Sequence, residues 1–195
     1  LFGHVPEPVV QMHPQDMAQR QLNAGDLVKV SSRRGAVVLP VSASTDLTPS
    51  QLFIPMHWGS EFLGGRSSDG ARVAGVNTLT SPLFCPDSKQ PELKHAAVEV
   101  CKITMPWQLV AVAWLPADTA QTTRHAVRQL LQDQQFVSCV PFGDGGPSGP
   151  SSAVGLLLRA AGDAAPAPAL LDTLEHLLGL QHPQTLRYLD SRRGQ

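Results

Sequence analysis

The sequence predicts a mainly β first half followed by a small α+β domain. Three observations carry that prediction. Short apolar runs broken by turn residues, with one short helix among them, fill the chain to about residue 103. Beyond it the pattern switches to the order β-α-β-β-α-β. Lys29, Lys89, Lys94 and Lys102 all precede residue 105, and the remainder carries only arginine. Pro106 marks the change, so the expected domains are 1–105 and 106–195.

In the first half, His13-Pro14 opens a helix through Leu22. Proline suits the first helical position and Asp16 the positive first turn. His13 is expected to cap it, and Asn23-Ala-Gly25-Asp26 to end it. Leu27–Val30 and Ala36–Val41 flank Ser31–Gly35 as a β-hairpin, with Gly35 supplying a positive φ. Gln51–Ile54 and Ala96–Ile103 are further strands. The long stretch from Pro55 to about residue 94 has little periodicity, which inside a compact domain points to a functional loop.

In the second half, Trp107–Leu115 reads as a buried strand. Asp118-Thr-Ala-Gln121 reads as a capping box opening a helix to about residue 133, with Val127, Leu130 and Leu131 on one face. Phe136–Phe142 and Ala153–Arg159 are strands separated by a Gly/Pro/Ser loop over 143–152. Leu170, Leu171, Leu174, Leu177 and Leu178 form a helical stripe closed by Gly179. Thr185–Leu189 is a final strand. This order is that of a ferredoxin-like sandwich. No residue cluster in this half proposes chemistry.

Composition narrows the function. The chain has 195 residues, 42% of them hydrophobic, enough for a real core. A net charge of −1 gives no electrostatic case for nucleic acid or an anionic membrane. No apolar run approaches the roughly 18 residues of a membrane span. No signal peptide is visible, so a cytoplasmic location is expected. The chain begins on Leu1 and closes no element after Asp190, so both ends read as cut from a longer polypeptide. Cys85, Cys101 and Cys139 match no zinc or iron–sulfur spacing and are expected to be buried free thiols. The histidines are too dispersed for a metal site.

The polar, proline-broken run Asn77-Thr-Leu-Thr80 and Pro86–Val98 is built to present amides, hydroxyls and ammonium groups to an anionic ligand. Five strings occur in order and spacing: Val9–Asp16, Asn23–Gly35, Phe53-Ile-Pro-Met-His-Trp58, Asn77–Thr80 and Asp87–His95. Together they resemble the C-terminal, molybdopterin-dinucleotide-binding domain of the molybdenum oxidoreductases related to dimethyl sulfoxide reductase, most of all the bacterial assimilatory nitrate reductases. Formate dehydrogenases share the Gly-Asp and Ser-Arg-Arg-Gly elements. The resemblance covers residues 5–103. Residues 107–195 resemble more loosely the C-terminal extension of some members.

The resemblance implies a double-psi β-barrel for the first half. It implies molybdenum held by two molybdopterin guanine dinucleotides, nitrate as substrate in nitrate assimilation, and an electron-donor protein or reductase subunit. Asn77 and Lys94 match cofactor-binding residues, and Met56 and His57 match the loop facing the pterin. The motif for a [4Fe–4S] cluster and the molybdenum-ligating residue would lie upstream of residue 1, so no catalytic or metal-ligating residue is expected here.

Physics allows those roles and leaves alternatives open. Asn77 can donate to and accept from a pterin edge, or cap a turn. Lys94 can place a point charge on phosphate, or guard a strand edge. His57 can hydrogen-bond the pterin or simply pack; Trp58 reads as a rim packing residue. Arg33, Arg34 and Lys89 read as solvated surface. Two other functions compete: a formate dehydrogenase or other oxyanion reductase of the same family, and a non-catalytic double-psi barrel used as a binding module.

Overall fold

The structure, a computed structural model, describes residues 7–66, 70–72, 75–91, 95–146 and 149–181, without the side chains of 144–146 and 149–152. Lys94 and the expected strand Thr185–Leu189 lie outside the described residues.

The first elements form as their local chemistry requires. After β1 (Val10–Met12), α1 spans Pro14–Gln19, with His13 as N-cap. The His13 Nδ1 accepts from the Gln15 N–H at 3.2 Å. Asp16 sits in the first turn. β2 (Leu27–Ser31) and β3 (Ala36–Ala43) pair antiparallel from Leu27↔Pro40 to Ser31↔Ala36. Val28 and Val30 are buried while Lys29 points elsewhere, the alternation of a one-faced strand. Pro40 is tolerated in a central strand because parallel pairing with β1 begins one residue later, at Val10↔Val41.

Gly35 corrects one expectation. It is not among the glycines with positive φ. Its role is close approach: a Cβ there would lie 2.5 Å from Thr78 Oγ1.

The chain divides into two compact units. One comprises Pro8–Ser60 and Val73–Thr104; the other comprises Leu1–Glu7, Glu61–Arg72 and Met105–Gln195. In the first, β4 (Leu52–Phe53) and β6 (Glu99–Lys102) complete a mixed sheet of order β4-β1-β3-β2-β6. Val10, Met12, Val28, Val30, Val37, Leu39 and Val41 are buried on it, as are Trp58, Val76 and Leu79.

The second unit takes β5 (Leu63–Gly64) from the long stretch expected to be a loop. β7 (Trp107–Pro116), α2 (Ala117–Leu130), β8 (Phe136–Gly146), β9 (Gly149–Gly162) and α3 (Pro168–Leu177) follow. The sheet order is β5-β8-β9-β7, and β7 and β8 each pair antiparallel with β9. They are therefore parallel to each other, joined by α2. Val127, Leu131, Leu174 and Leu178 pack with Ala113, Leu115, Cys139, Leu156 and Leu158 in one apolar core.

Three local expectations change here. β7 is not buried on both faces: Val110 and Val112 are 60% and 51% exposed. The capping box does not form. β7 runs straight into α2 with Pro116 as N-cap and no side-chain cap, which leaves Asp118 inside the first turn. The expected loop 143–152 is largely taken up by β8 and β9, whose pairing shifts register between Phe142 and Gly146. Gly179 does close α3: at φ 66 it donates to His176 C=O, while Leu180 donates to Glu175 C=O. That pair of bonds is a Schellman motif.

Candidate functional site

A cavity of about 800 Å³ opens in the first unit. Its floor is apolar, with Met12 from the end of β1, Val30 from β2, and Ile54 and Met56 beyond β4. Val76, Leu79 and Thr80 close one wall, and the extended run His95–Val100 forms another. The polar side chains of the lining are those of Asp16, Arg20, Ser50, Gln51, Thr80, His95 and Glu99.

Asp16 organises one corner. It is buried, and its Oδ2 accepts the Ser50 N–H at 2.6 Å. Ser50 adopts φ 68, a left-handed conformation uncommon for a residue with a Cβ. One turn along α1, Arg20 places Nη1 3.3 Å from the Asp16 carbonyl oxygen and 3.8 Å from its Oδ1.

The wall at 76–80 is a 3₁₀ turn, Val76–Leu79. Val76 N–H donates to Trp58 C=O at 3.1 Å, and Thr80 donates through N–H and Oγ1 to Asn77 C=O. Gly75 lets this turn approach Gly59, whose Cα would lie 2.6 Å from a Cβ at position 75.

The candidate residues from the sequence are not all brought together. Met56 lines the cavity, half-buried. Asn77 lies in the turn that walls it, but is exposed and outside the lining. His57 is half-buried, outside the lining, its ring 4.6 Å from that of Trp58 at 41°. Trp58 is wholly buried, part of the core rather than the rim. Arg34 donates to Ser81 Oγ at 3.3 Å, tying the hairpin tip to the segment after the turn. Lys89 bonds Pro86 C=O and lies over the Phe84 ring.

Asp16, Arg20, Ser50 and His95 were not among the candidates. The first two read as helix residues, Ser50 carried no motif, and His95 ended the Asp87–His95 string without a role of its own; only their return to one cavity brings them forward. Among the described residues no group of His, Cys, Asp or Glu could hold a metal ion.

Comparison with known proteins bears on this unit. Residues 3–97 match the family described as Molydopterin dinucleotide binding domain. The nitrate reductase of Klebsiella oxytoca is 35% identical over 117 residues, 60% of this chain and 11% of that protein. The nitrate reductase of Synechocystis sp. is 42% identical over 72 residues, 37% of this chain and 9% of that protein. The chain therefore spans about a tenth of the length of these curated relatives. Acetylene hydratase from Pelobacter acetylenicus is similar over 52% of this chain and 15% of its own, with 17% identity and a TM-score of 0.40, too low to carry an argument.

Proposed function

Because this chain belongs to the molybdopterin oxidoreductases, residues 3–97 being their dinucleotide-binding domain, we propose that it forms the C-terminal cofactor-binding part of a nitrate reductase. In this reading the enzyme is cytoplasmic and assimilatory. It carries molybdenum on two molybdopterin guanine dinucleotides, holds a [4Fe–4S] cluster upstream, and takes electrons from a donor protein or reductase subunit. The first unit is then a double-psi barrel. The ferredoxin-like reading of the second is supported by the β7-α2-β8-β9-α3 order and by β9 lying between β7 and β8.

The cavity is the observation that carries the proposal. It lies in the unit that the family match covers almost entirely, and about 800 Å³ falls within the range for small-molecule and cofactor sites. Its lining suits a flat, polar-edged, anionic group. Val76, Leu79 and Met56 offer apolar surface, Thr80 and Gln51 neutral polar groups, and Arg20 a cation. Among the described residues the N–H groups of Ala96, Ala97 and Val98 donate to no partner, which leaves planar donors along one wall.

When bound, the cofactor supplies the redox and oxygen-atom-transfer chemistry. This chain's residues bind it, orient it and keep water from one side of it. Met56 and the Val76–Thr80 turn give the apolar contact; Asn77 and Lys94 contribute an amide and an ammonium group. The test is Asn77→Ala and Lys94→Ala in the full-length enzyme, with molybdenum content and nitrate turnover measured together. Both quantities should fall in each variant. If both stay at wild-type levels in both variants, the site assignment is wrong.

A further inference from the structure

We propose that Arg20 is the phosphate-contacting residue of this cavity, held in place by Asp16; the inference rests on the cofactor-site reading above. Among the described residues of the unit, the other arginines and lysines (Lys29, Arg33, Arg34, Lys89 and Lys102) lie outside the cavity lining. Of the described cations only Arg20 lines the cavity, joining the ammonium group proposed for Lys94. An anion entering a mostly apolar cavity is costly unless paired with a cation and hydrogen-bonded. Asp16 and Glu99 in the same lining would repel a diphosphate, and Arg20 offsets that repulsion.

The guanidinium is prepared for this role. It carries five N–H donors in a planar fork suited to phosphate oxygens. Among the described residues only Nη1 finds a partner, the Asp16 carbonyl oxygen, while Nε and Nη2 donate to none. The Asp16 carboxylate divides its work: Oδ2 takes the Ser50 N–H, and Oδ1 stands 3.8 Å from Nη1. Asp16 thus acts as a positioning residue: its carboxylate fixes the Ser50 turn and faces the guanidinium, while its backbone carbonyl accepts from Nη1. The Arg20 side chain is 44% exposed, so its donors remain accessible at the cavity.

The experiment uses the full-length enzyme and reads cofactor retention, not turnover. Guanine nucleotide and oxidised pterin released by acid are measured per polypeptide after gel filtration at rising salt, for wild type, Arg20→Gln, Arg20→Lys and Asn77→Ala. Arg20→Gln should lose bound cofactor about tenfold faster than wild type, the size of one charge-assisted hydrogen bond. Its loss should depend less on salt, because the screened interaction is gone. Arg20→Lys, which keeps the charge but not the fork, should fall between, a rescue that a merely structural role would not produce. Wild-type retention and salt dependence in Arg20→Gln, with loss in Asn77→Ala, would overturn the role of Arg20 and leave the site standing. Wild-type retention in every variant would sink both the site and Arg20's part in it.

Discussion

Asp16, on the first helix, accepts a 2.6 Å hydrogen bond from the backbone N–H of Ser50, tying α1 to the turn before β4. Ser50 is exposed and holds a positive φ, while Asp16 is buried at the edge of the cavity. A short hydrogen bond to a carboxylate contributes more than one between neutral groups. Asp16→Ala should therefore destabilise the protein by about 1–3 kcal/mol. Asp16→Asn, which keeps an acceptor, should cost less. Urea unfolding checks both, and equal midpoints for wild type and Asp16→Ala would remove the clamp from the account.

The hairpin tip is coupled to the cavity wall by lack of space at Gly35. A methyl group there meets Thr78 Oγ1 at 2.5 Å and Thr78 Cγ2 at 3.3 Å. Gly35→Ala should cost about 1–3 kcal/mol, as overpacking does. The Gly35→Ala/Thr78→Ala pair should then cost less than the sum of its single changes, a coupling that a double-mutant cycle measures. Simple additivity would mean that the two residues do not press on each other.

Of the three free cysteines only Cys139 is buried as expected; Cys85 is half-buried and Cys101 exposed on the edge strand β6, so they should differ sharply in reactivity. Hydrogen bonding from the Ser88 hydroxyl, then from the backbone N–H groups of Ser88 and Asp87, holds the Cys85 thiol below its ordinary range. Burial pushes the Cys139 thiol up to about 11, with Arg124 and Arg128 opposing it incompletely. Iodoacetamide at neutral pH, followed by mass spectrometry, should label Cys85 and leave Cys139 until the protein unfolds.

The same burial makes stability pH-dependent. The native state holds the Cys139 proton more tightly than the unfolded chain, whose thiol titrates near ~8.5. Its contribution is complete below that pH and is lost as pH rises towards 11. Stability measured between those limits should fall less steeply in Cys139→Ala than in wild type.

Asp26 shows the opposite sign. Partial burial pushes its carboxyl up, but the Asn23 N–H and the Lys102 ammonium, 2.6 Å away, outweigh it and hold it below the ordinary carboxylate range. Its contribution is present at neutral pH and is lost as pH falls below about 4. Because the pair is partly exposed, Lys102→Met should cost no more than about 1 kcal/mol. The Asp26 pKa, followed by NMR, should rise in that variant.

What the sequence by itself determined is local. His13 and Pro14 start α1, Gly179 stops α3, and the alternation through Val28 and Val30 sets the hairpin strands, because each depends on neighbours within a few residues. The strings from Val9 to His95 likewise marked the dinucleotide-binding family before any contact was known. Local signals also misled where the larger structure overrode them. Asp118 had the spacing of a cap, but β7 enters α2 without the break a cap needs. Tertiary structure alone decided that Leu63–Gly64 joins the second sheet, that Gly35 meets Thr78, and that Asp16, Arg20 and His95 border one cavity. These relations join residues far apart in the chain, and neither spacing nor propensity encodes where a long non-periodic segment will return.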